Sequence, residues 1–245
     1  MFLLLAALSA GRAAAQENWT QVVPITGYKP DYFLIGQPET KIQFSLLVPI
    51  VRDRGLYFGY TQIMLWELVR PDPYLSDVNY DPEFFYRIPF KDGKTRWLDL
   101  GLFEHESNGK GGADERSWDR TYLRYHQEWS LHGRAKLRAE MKVWLPYDMN
   151  VSNRDLPNYR GLWEGNVILS DFKGDYVVED LIFRIYAGGP SNIDPTRGGQ
   201  ELTFRLKTAK RKFIPVTMMQ VFHGYAESLA DFHHSYWAYR AGIGF

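Results

Sequence analysis

The chain has no cysteine. A disulfide framework and a thiolate metal centre are therefore excluded, while the compartment stays open on that count. Long apolar runs are missing too. No window reaches the roughly 18 apolar residues that a membrane-spanning helix needs. An excess of one charge is the third absence: 29 Lys and Arg stand against 29 Asp and Glu. Nucleic-acid binding wants a basic surplus, so no nucleic-acid partner is expected. What the chain has in quantity is aromatic surface. Phe, Trp and Tyr make up 16% of its 245 residues, including 16 Tyr and 8 Trp. Mean hydropathy is nevertheless −0.37, which does not fit a helical membrane protein. A strand-rich barrel of this length is usually one domain.

Residues 1–15 read as a secretory signal. Phe2–Leu8 is apolar, and Ala13, Ala14 and Ala15 form a small-residue cleavage site before Gln16. The usual basic start is missing, which points to an upstream or mis-assigned initiation. Residues 16–40, rich in Pro, Gly and polar side chains, read as a lead-in without strong pattern. From 41 to 245 the sequence settles into a rhythm. Apolar and aromatic segments of about ten residues alternate with turn clusters such as Arg52–Gly55, Lys91–Gly93 and Gly188–Pro190. Eleven strands are expected, over 41–51, 56–69, 81–89, 96–107, 117–129, 135–147, 159–172, 176–187, 200–208, 216–222 and 234–245. Several are long enough for a tilted membrane crossing, longer than sandwich strands usually run.

The last segment is the clearest. Trp237, Tyr239, Ala241, Ile243 and Phe245 share one face, and Ala238, Arg240, Gly242 and Gly244 the other. Apolar outside and small or polar inside fits a lipid-exposed closing strand. The expected fold is all-β, an antiparallel transmembrane β-barrel over 41–245. A closed bacterial barrel wants an even number of strands, so one is missing from the count of eleven.

The chemistry concentrates in Trp97–Trp129, which reads as two extended segments joined by a Gly-rich loop. His105 and Ser107 are two apart, so on a strand they share a face about 7 Å apart at the backbone. The imidazole can then take the hydroxyl proton. The returning segment carries Asp119, which can reach the far nitrogen of His105 if the segments pair antiparallel. Base, nucleophile and orienter are then assembled. Gly109, Gly111 and Gly112 let the loop turn tightly and offer its N–H groups. A His and a Ser two apart are commonly plain surface residues, so the pair alone is weak. The longer run is more specific: H-E-S-N-G followed by R-S-W-D-R.

With that run, the chain resembles the outer-membrane phospholipase A family, in which H-[DE]-S-N-G carries the catalytic His and Ser and S-W-N-R the third member. KIQFSLLVPI, GYTQIMLWEL, NYDPEFFYR, RDLPNYRG and HGYAESLADF are similar to family segments in the same order, over roughly 28–245. The resemblance implies twelve strands. It implies hydrolysis of acyl esters of membrane phospholipids and lysophospholipids at either position, in the outer membrane, by a homodimer. His105 would be base, Ser107 nucleophile, Asp119 orienter and Gly109 N–H the oxyanion donor. It also implies calcium, whose ligands carry over onto Lys110 through its carbonyl, Glu115 through its side chain, and Asp72 through a partner's carbonyl. Two positions depart from the pattern. Asp119 stands where the best-known members have Asn, and a carboxylate there is expected to keep activity. Glu115 replaces a hydroxyl, and a carboxylate is a good hard ligand for calcium; as a solvated loop acid it would have no role.

Face assignment leaves a conflict. Asp119, Thr121, Leu123, Tyr125 and Trp129 alternate with Trp118, Arg120, Tyr122, Arg124, His126 and Glu128. The charged set belongs inside, so Asp119 belongs outside. Leu98, Leu100 and Leu102 have the opposite parity to His105 and Ser107. An outward His105, needed to meet Asp119, then leaves three leucines facing inward without explanation. An outward site has a reason, because a lipid ester lies at the headgroup boundary.

Other features are weaker. Gln62 reads either as an inward polar residue or, by the resemblance, as a dimer contact. His233 and His234 are adjacent and point to opposite faces of a strand, so they make a poor metal site. His126 and His223 read as interior polar residues. Trp97, Trp118, Trp129, Trp144, Trp163 and Trp237 read mostly as girdle or lipid-facing. Two other classes stay open: a barrel without chemistry, as pore or scaffold, and a soluble secreted β-protein.

Overall fold

A computed structural model describes residues 25–51, 54–90, 95–171, 177–208 and 216–245. The expected signal segment and the turn cluster Lys91–Gly93 lie outside them. Thirteen strands follow in order: β1 (Thr26–Gly27), β2 (Tyr32–Gln37), β3 (Thr40–Val51), β4 (Leu56–Trp66), β5 (Leu75–Pro89), β6 (Arg96–Ser107), β7 (Ser117–Ser130), β8 (Lys136–Met149), β9 (Trp163–Ser170), β10 (Val177–Gly188), β11 (Asp194–Thr208), β12 (Val216–Gly224) and β13 (Tyr236–Gly244). A short helix, α1 (Pro157–Arg160), precedes β9. Every pairing is antiparallel, and β13–β2, β2–β3 and β3–β4 close the ring. β1 and β2 lie on the same edge of β3, with Thr26 opposite Leu47 and Tyr32 opposite Gln43. They act as one stave, which makes the barrel twelve-stranded.

That stave is the one missing from the sequence count. It lies in the segment read as a lead-in, so the wall begins before residue 41. Its apolar run is only YFLIG, between Pro30 and Pro38, too short to stand out beside ten-residue neighbours.

The pleat sorts the side chains. Leu100, Leu123, Val143, Leu202 and Ile243 are exposed on the outside, while Glu83, Asp99, Glu104, Arg120 and Arg240 are buried inside. This polarity is the inverse of a water-soluble protein and is what a lipid-facing wall requires. β13 follows the expectation: Trp237, Tyr239 and Phe245 are exposed, Ala238 and Arg240 buried. Several tryptophans do not. Trp118 and Trp144 are buried in the interior, in an edge-to-face pair with the Arg120 guanidinium 4.2 Å from the Trp118 ring. A buried arginine gains from an aromatic face, which an outward girdle position would not offer. His126 is buried as expected, but His223 points outward and stacks on Trp237. Gln62 faces outward, accepting from Tyr60 OH at 2.9 Å.

The interior is filled. Phe85, Trp118, Tyr122 and Trp144 from the wall pack against Leu156, Leu229 and Phe232 from two loops at one mouth. The β12–β13 loop folds in across the bore. Ser228 Oγ and the Ala230 N–H donate to Asp77 Oδ2 of β5 at 2.7 and 3.0 Å. Glu227 accepts from Lys41 Nζ at 3.0 Å, Arg240 Nη1 at 2.6 Å and Tyr236 OH at 2.8 Å. Burial by itself would raise the Glu227 carboxyl, but Lys41 and Arg240 override it and hold it at about 2. A carboxyl depressed on folding stabilises above the ordinary glutamate range, and that contribution is lost as pH falls toward about 2. Glu227→Gln leaves Arg240 buried against a neutral amide and Lys41 with Glu201 as its remaining carboxylate. It is expected to cost about 3–5 kcal/mol, read as a lower temperature for the shift from folded to unfolded band on a gel.

Candidate active site

β6 and β7 pair so that His105 lies opposite Asp119 and Ser107 opposite Ser117. His105 Nδ1 and Asp119 Oδ1 are 2.6 Å apart. The imidazole is 37% exposed and the carboxylate 18%, so the pair sits at the wall surface and not in the bore. With Nδ1 held by Asp119, Nε2 is the nitrogen left for a substrate or nucleophile. Ser107 shares that face, and its hydroxyl makes no hydrogen bond among the described residues, so the bond to His105 is not formed here. Catalytic contacts often tighten only when substrate is bound.

The leucine conflict resolves in a bulge. Gly101 pairs with Tyr122 and Glu104 with Arg120, so Leu102 and Phe103 together oppose Thr121. One extra residue flips the parity of everything after it. Leu100 and Leu102 are therefore exposed at 38% and 52%, and Asp99, Glu104 and Gly101 are buried. His105 and Ser107 follow on the same outer face as the leucines. The inward apolar stretch does not exist. Thr121 Oγ1 donates to the Gly101 carbonyl at 2.6 Å and fixes the bulge. β8 carries a second one: Trp118 pairs with Met149 and Arg120 with Pro146, leaving Tyr147 and Asp148 beside Asp119. Arg120 does not accompany Asp119. It points inward to Glu104 and Glu106 at 3.1 and 2.9 Å, so His105 supplies the pairing that holds the Asp119 carboxylate at the lipid face.

The loop after Ser107 is built around Gly109. Its φ is +65°, and a Cβ there would lie 2.7 Å from the Tyr80 ring, so glycine is required twice over. Among the described residues its N–H has no acceptor. Tyr80 lies opposite Ser107 on β5 and is 37% exposed, so it walls one side of Ser107. Tyr80 lies in the segment NYDPEFFYR, but the sequence alone assigns it no role at the site.

The three ligand positions carried over by resemblance are placed as follows. The Lys110 N–H donates to Asn108 Oδ1 at 3.3 Å and its Nζ to the Ser76 carbonyl at 3.3 Å. The Glu115 carboxylate makes no hydrogen bond or ion pair among the described residues, so its oxygens are uncommitted. Asp72 is exposed in the β4–β5 loop. A different acidic group, Asp81, Glu83 and Glu104, has metal-compatible spacing. It lies inside the barrel. Arg120 is 3.1 Å from Glu104, Lys29 3.5 Å from Asp81 and Arg124 3.8 Å from Glu83, with Lys142 also on Glu104. Four cations against three carboxylates leave no negative charge to hold a metal. His233 pairs with Asp155 and His234 with Asp231, on separate carboxylates.

A cavity of about 450 Å³ lies at the loop-filled mouth, lined by Glu39, Ser76, Asp77 and Ser228 among others. None of His105, Ser107 or Asp119 lines it. Enzyme sites are usually concave, but one that works on lipid in the plane of the bilayer can sit on a wall.

The family model for phospholipase A1 matches residues 12–245. A Neisseria meningitidis serogroup B protein carrying the phospholipase A1 name is 32% identical over 225 residues, 84% of this chain and 53% of its own length. Phospholipase A1 of Escherichia coli K12 is 29% identical over 220 residues, 84% of this chain and 68% of its own length. The chain thus spans about half of the first relative and about two thirds of the second. Among solved structures, outer membrane phospholipase A from Escherichia coli matches with a TM-score of 0.72 at 20% identity, covering 94% of each chain. A Salmonella typhi outer membrane phospholipase, solved as a dimer with bound calcium, gives 0.71 at 20% identity over 94% of each chain. The two structures share the closed twelve-stranded antiparallel barrel. On the family match, the chain belongs to the phospholipase A1 family.

Proposed function

We propose that the chain is an integral outer-membrane phospholipase that hydrolyses acyl esters of phospholipids and lysophospholipids at either position, assisted by calcium and active as a homodimer. The observation that carries this is the His105–Asp119 pair at 2.6 Å on the outer wall, with Ser107 on the same face. There the hydroxyl meets an ester at the headgroup boundary without extracting the lipid.

His105 Nε2 takes the Ser107 proton as the Ser107 oxygen bonds to the ester carbonyl carbon. The carbonyl electrons move to oxygen, toward the Gly109 N–H. On collapse the carbon–oxygen ester bond breaks, and His105 returns the proton to the departing lyso-lipid alcohol. Water, deprotonated by the same imidazole, then attacks the acyl carbon; the bond from that carbon to the Ser107 oxygen breaks, His105 returns the proton to Ser107, and the fatty acid leaves. Asp119 keeps Nδ1 protonated throughout and stabilises the imidazolium.

The uncommitted Glu115 carboxylate and the Lys110 carbonyl suit a hard cation, with Asp72 contributed by a second copy. Calcium held there would supply positive charge to the developing oxyanion. The acidic group inside the bore does not suit one, for the charge reason given above. The pore reading is disfavoured by the packed interior, because aromatic and ionic side chains fill the bore and a loop crosses one mouth. In expressing cells the protein is expected to fractionate with outer membrane, and after purification to release fatty acid from phospholipid mixed micelles. A folded barrel that releases none would leave only a scaffold.

A further inference from the structure

Deepening that function and resting on it, we propose that Asn108, Ser152 and Asn153 are positioning residues that hold the oxyanion and metal-binding backbone of the β6–β7 loop before any calcium arrives. Asn108 is 4% exposed and closes the loop on itself. Its Nδ2 donates to the Asp114 carbonyl at 2.9 Å, and its Oδ1 accepts from the N–H groups of Lys110 and Arg116 at 3.3 and 3.0 Å. Its own N–H donates to the Arg116 carbonyl at 3.0 Å. One side chain therefore ties both ends of the loop and flanks Gly109. The Lys110 N–H is consumed by Asn108, while the Gly109 N–H keeps no acceptor among the described residues. The staple thus selects which amide is offered to an oxyanion.

The second half of the device comes from the β8–β9 loop. Asn153 is fully buried; its Oδ1 accepts from the Ser117 N–H and its Nδ2 donates to the Ser117 carbonyl, both at 3.1 Å. Ser117 lies directly opposite the nucleophile Ser107. Ser152 Oγ donates to the main-chain carbonyl of Glu115, the residue whose carboxylate is free. The returning end of the loop, at Glu115 and Ser117, is thereby fixed from the β8–β9 loop, and the Asn108 side chain ties the starting end to it. Partners of this kind set ligand orientation, and their loss typically costs about 10–100-fold in metal affinity.

The test measures kcat, KM and the calcium concentration for half-maximal activity on mixed micelles, beside the gel temperature shift of the folded band. Asn108→Ala is expected to lower kcat at saturating calcium about 100-fold with little change in KM, since a small misplacement of a reacting group has that effect. Asn108→Asp keeps the two accepted bonds and is expected to recover part of kcat. Ser152→Ala is expected to raise the half-activating calcium concentration about 10-fold, with kcat at saturation within about 2-fold of the parent. If Asn108→Ala does not fold, Asn108→Asp and Ser152→Ala carry the test. Variants that only lower the gel transition, with kcat and the calcium midpoint unchanged, overturn the proposal. A parent protein inactive at every calcium concentration overturns the underlying function instead, so the two failures are told apart.

Discussion

Ser107→Ala is expected to reduce fatty-acid release about 10⁴-fold while the barrel still shows its heat-dependent shift on a gel. Ser107 is on the outer face, and no hydrogen bond of the described residues depends on its hydroxyl. Removing it therefore takes away the proposed nucleophile and leaves the wall untouched. Residual rate would come from the Gly109 N–H and substrate binding, as in other hydrolases stripped of one triad member. His105→Ala should cost about as much, and the double variant little more, because the two act as a unit. Additive losses would mean that they do separate jobs. The assay is release of free fatty acid from mixed micelles at fixed calcium.

Removing calcium is expected to have the next largest effect. Chelation should lower the rate by about 10²–10³-fold, the usual loss when one oxyanion stabiliser is removed, and added calcium should restore it. Lys110 offers a carbonyl, which cannot be removed by substitution, so Glu115 is the residue to change. Its carboxylate is uncommitted within the chain. Glu115→Gln keeps the shape but drops a charge, and should raise the calcium requirement while leaving the rate at saturating calcium near the parent's. Activity indifferent to chelator would remove calcium and Glu115 from the account and leave the His105–Asp119 pair standing alone.

How much of this was legible in the sequence depended on whether a residue's role followed from its own period. The faces of β7 and β13 did, because Arg120, Arg124 and Arg240 alternate cleanly with Leu123, Tyr125 and Tyr239. The His105–Asp119 meeting was legible from an antiparallel return once the face was taken from Asp119, although that choice left the leucines of β6 unexplained. The stave over Thr26–Gln37 was not, since it is short, interrupted and hemmed by prolines. Nor was the bulge at Leu102 and Phe103. A bulge adds one residue without any composition signal, yet it reverses every face after it. The inward turn of Trp118 and Trp144 was hidden for another reason: tryptophan suits either a girdle or a guanidinium, and the choice depends on Arg120 and Arg160 nearby in space. Asn153 could not be read at all. It acts on Ser117, which is 36 residues away in the chain.

Every step of the proposed hydrolysis depends on Ser107 acting as a nucleophile activated by an outward His105. The most direct measurement is covalent capture: treat the folded protein in detergent with a long-chain sulfonyl fluoride, digest it and locate the adduct by mass. A single adduct on the peptide containing Ser107, formed with calcium and lost in His105→Ala, is the predicted result. Undiminished hydrolysis with Ser107 unlabelled, or an adduct on another residue, would contradict it.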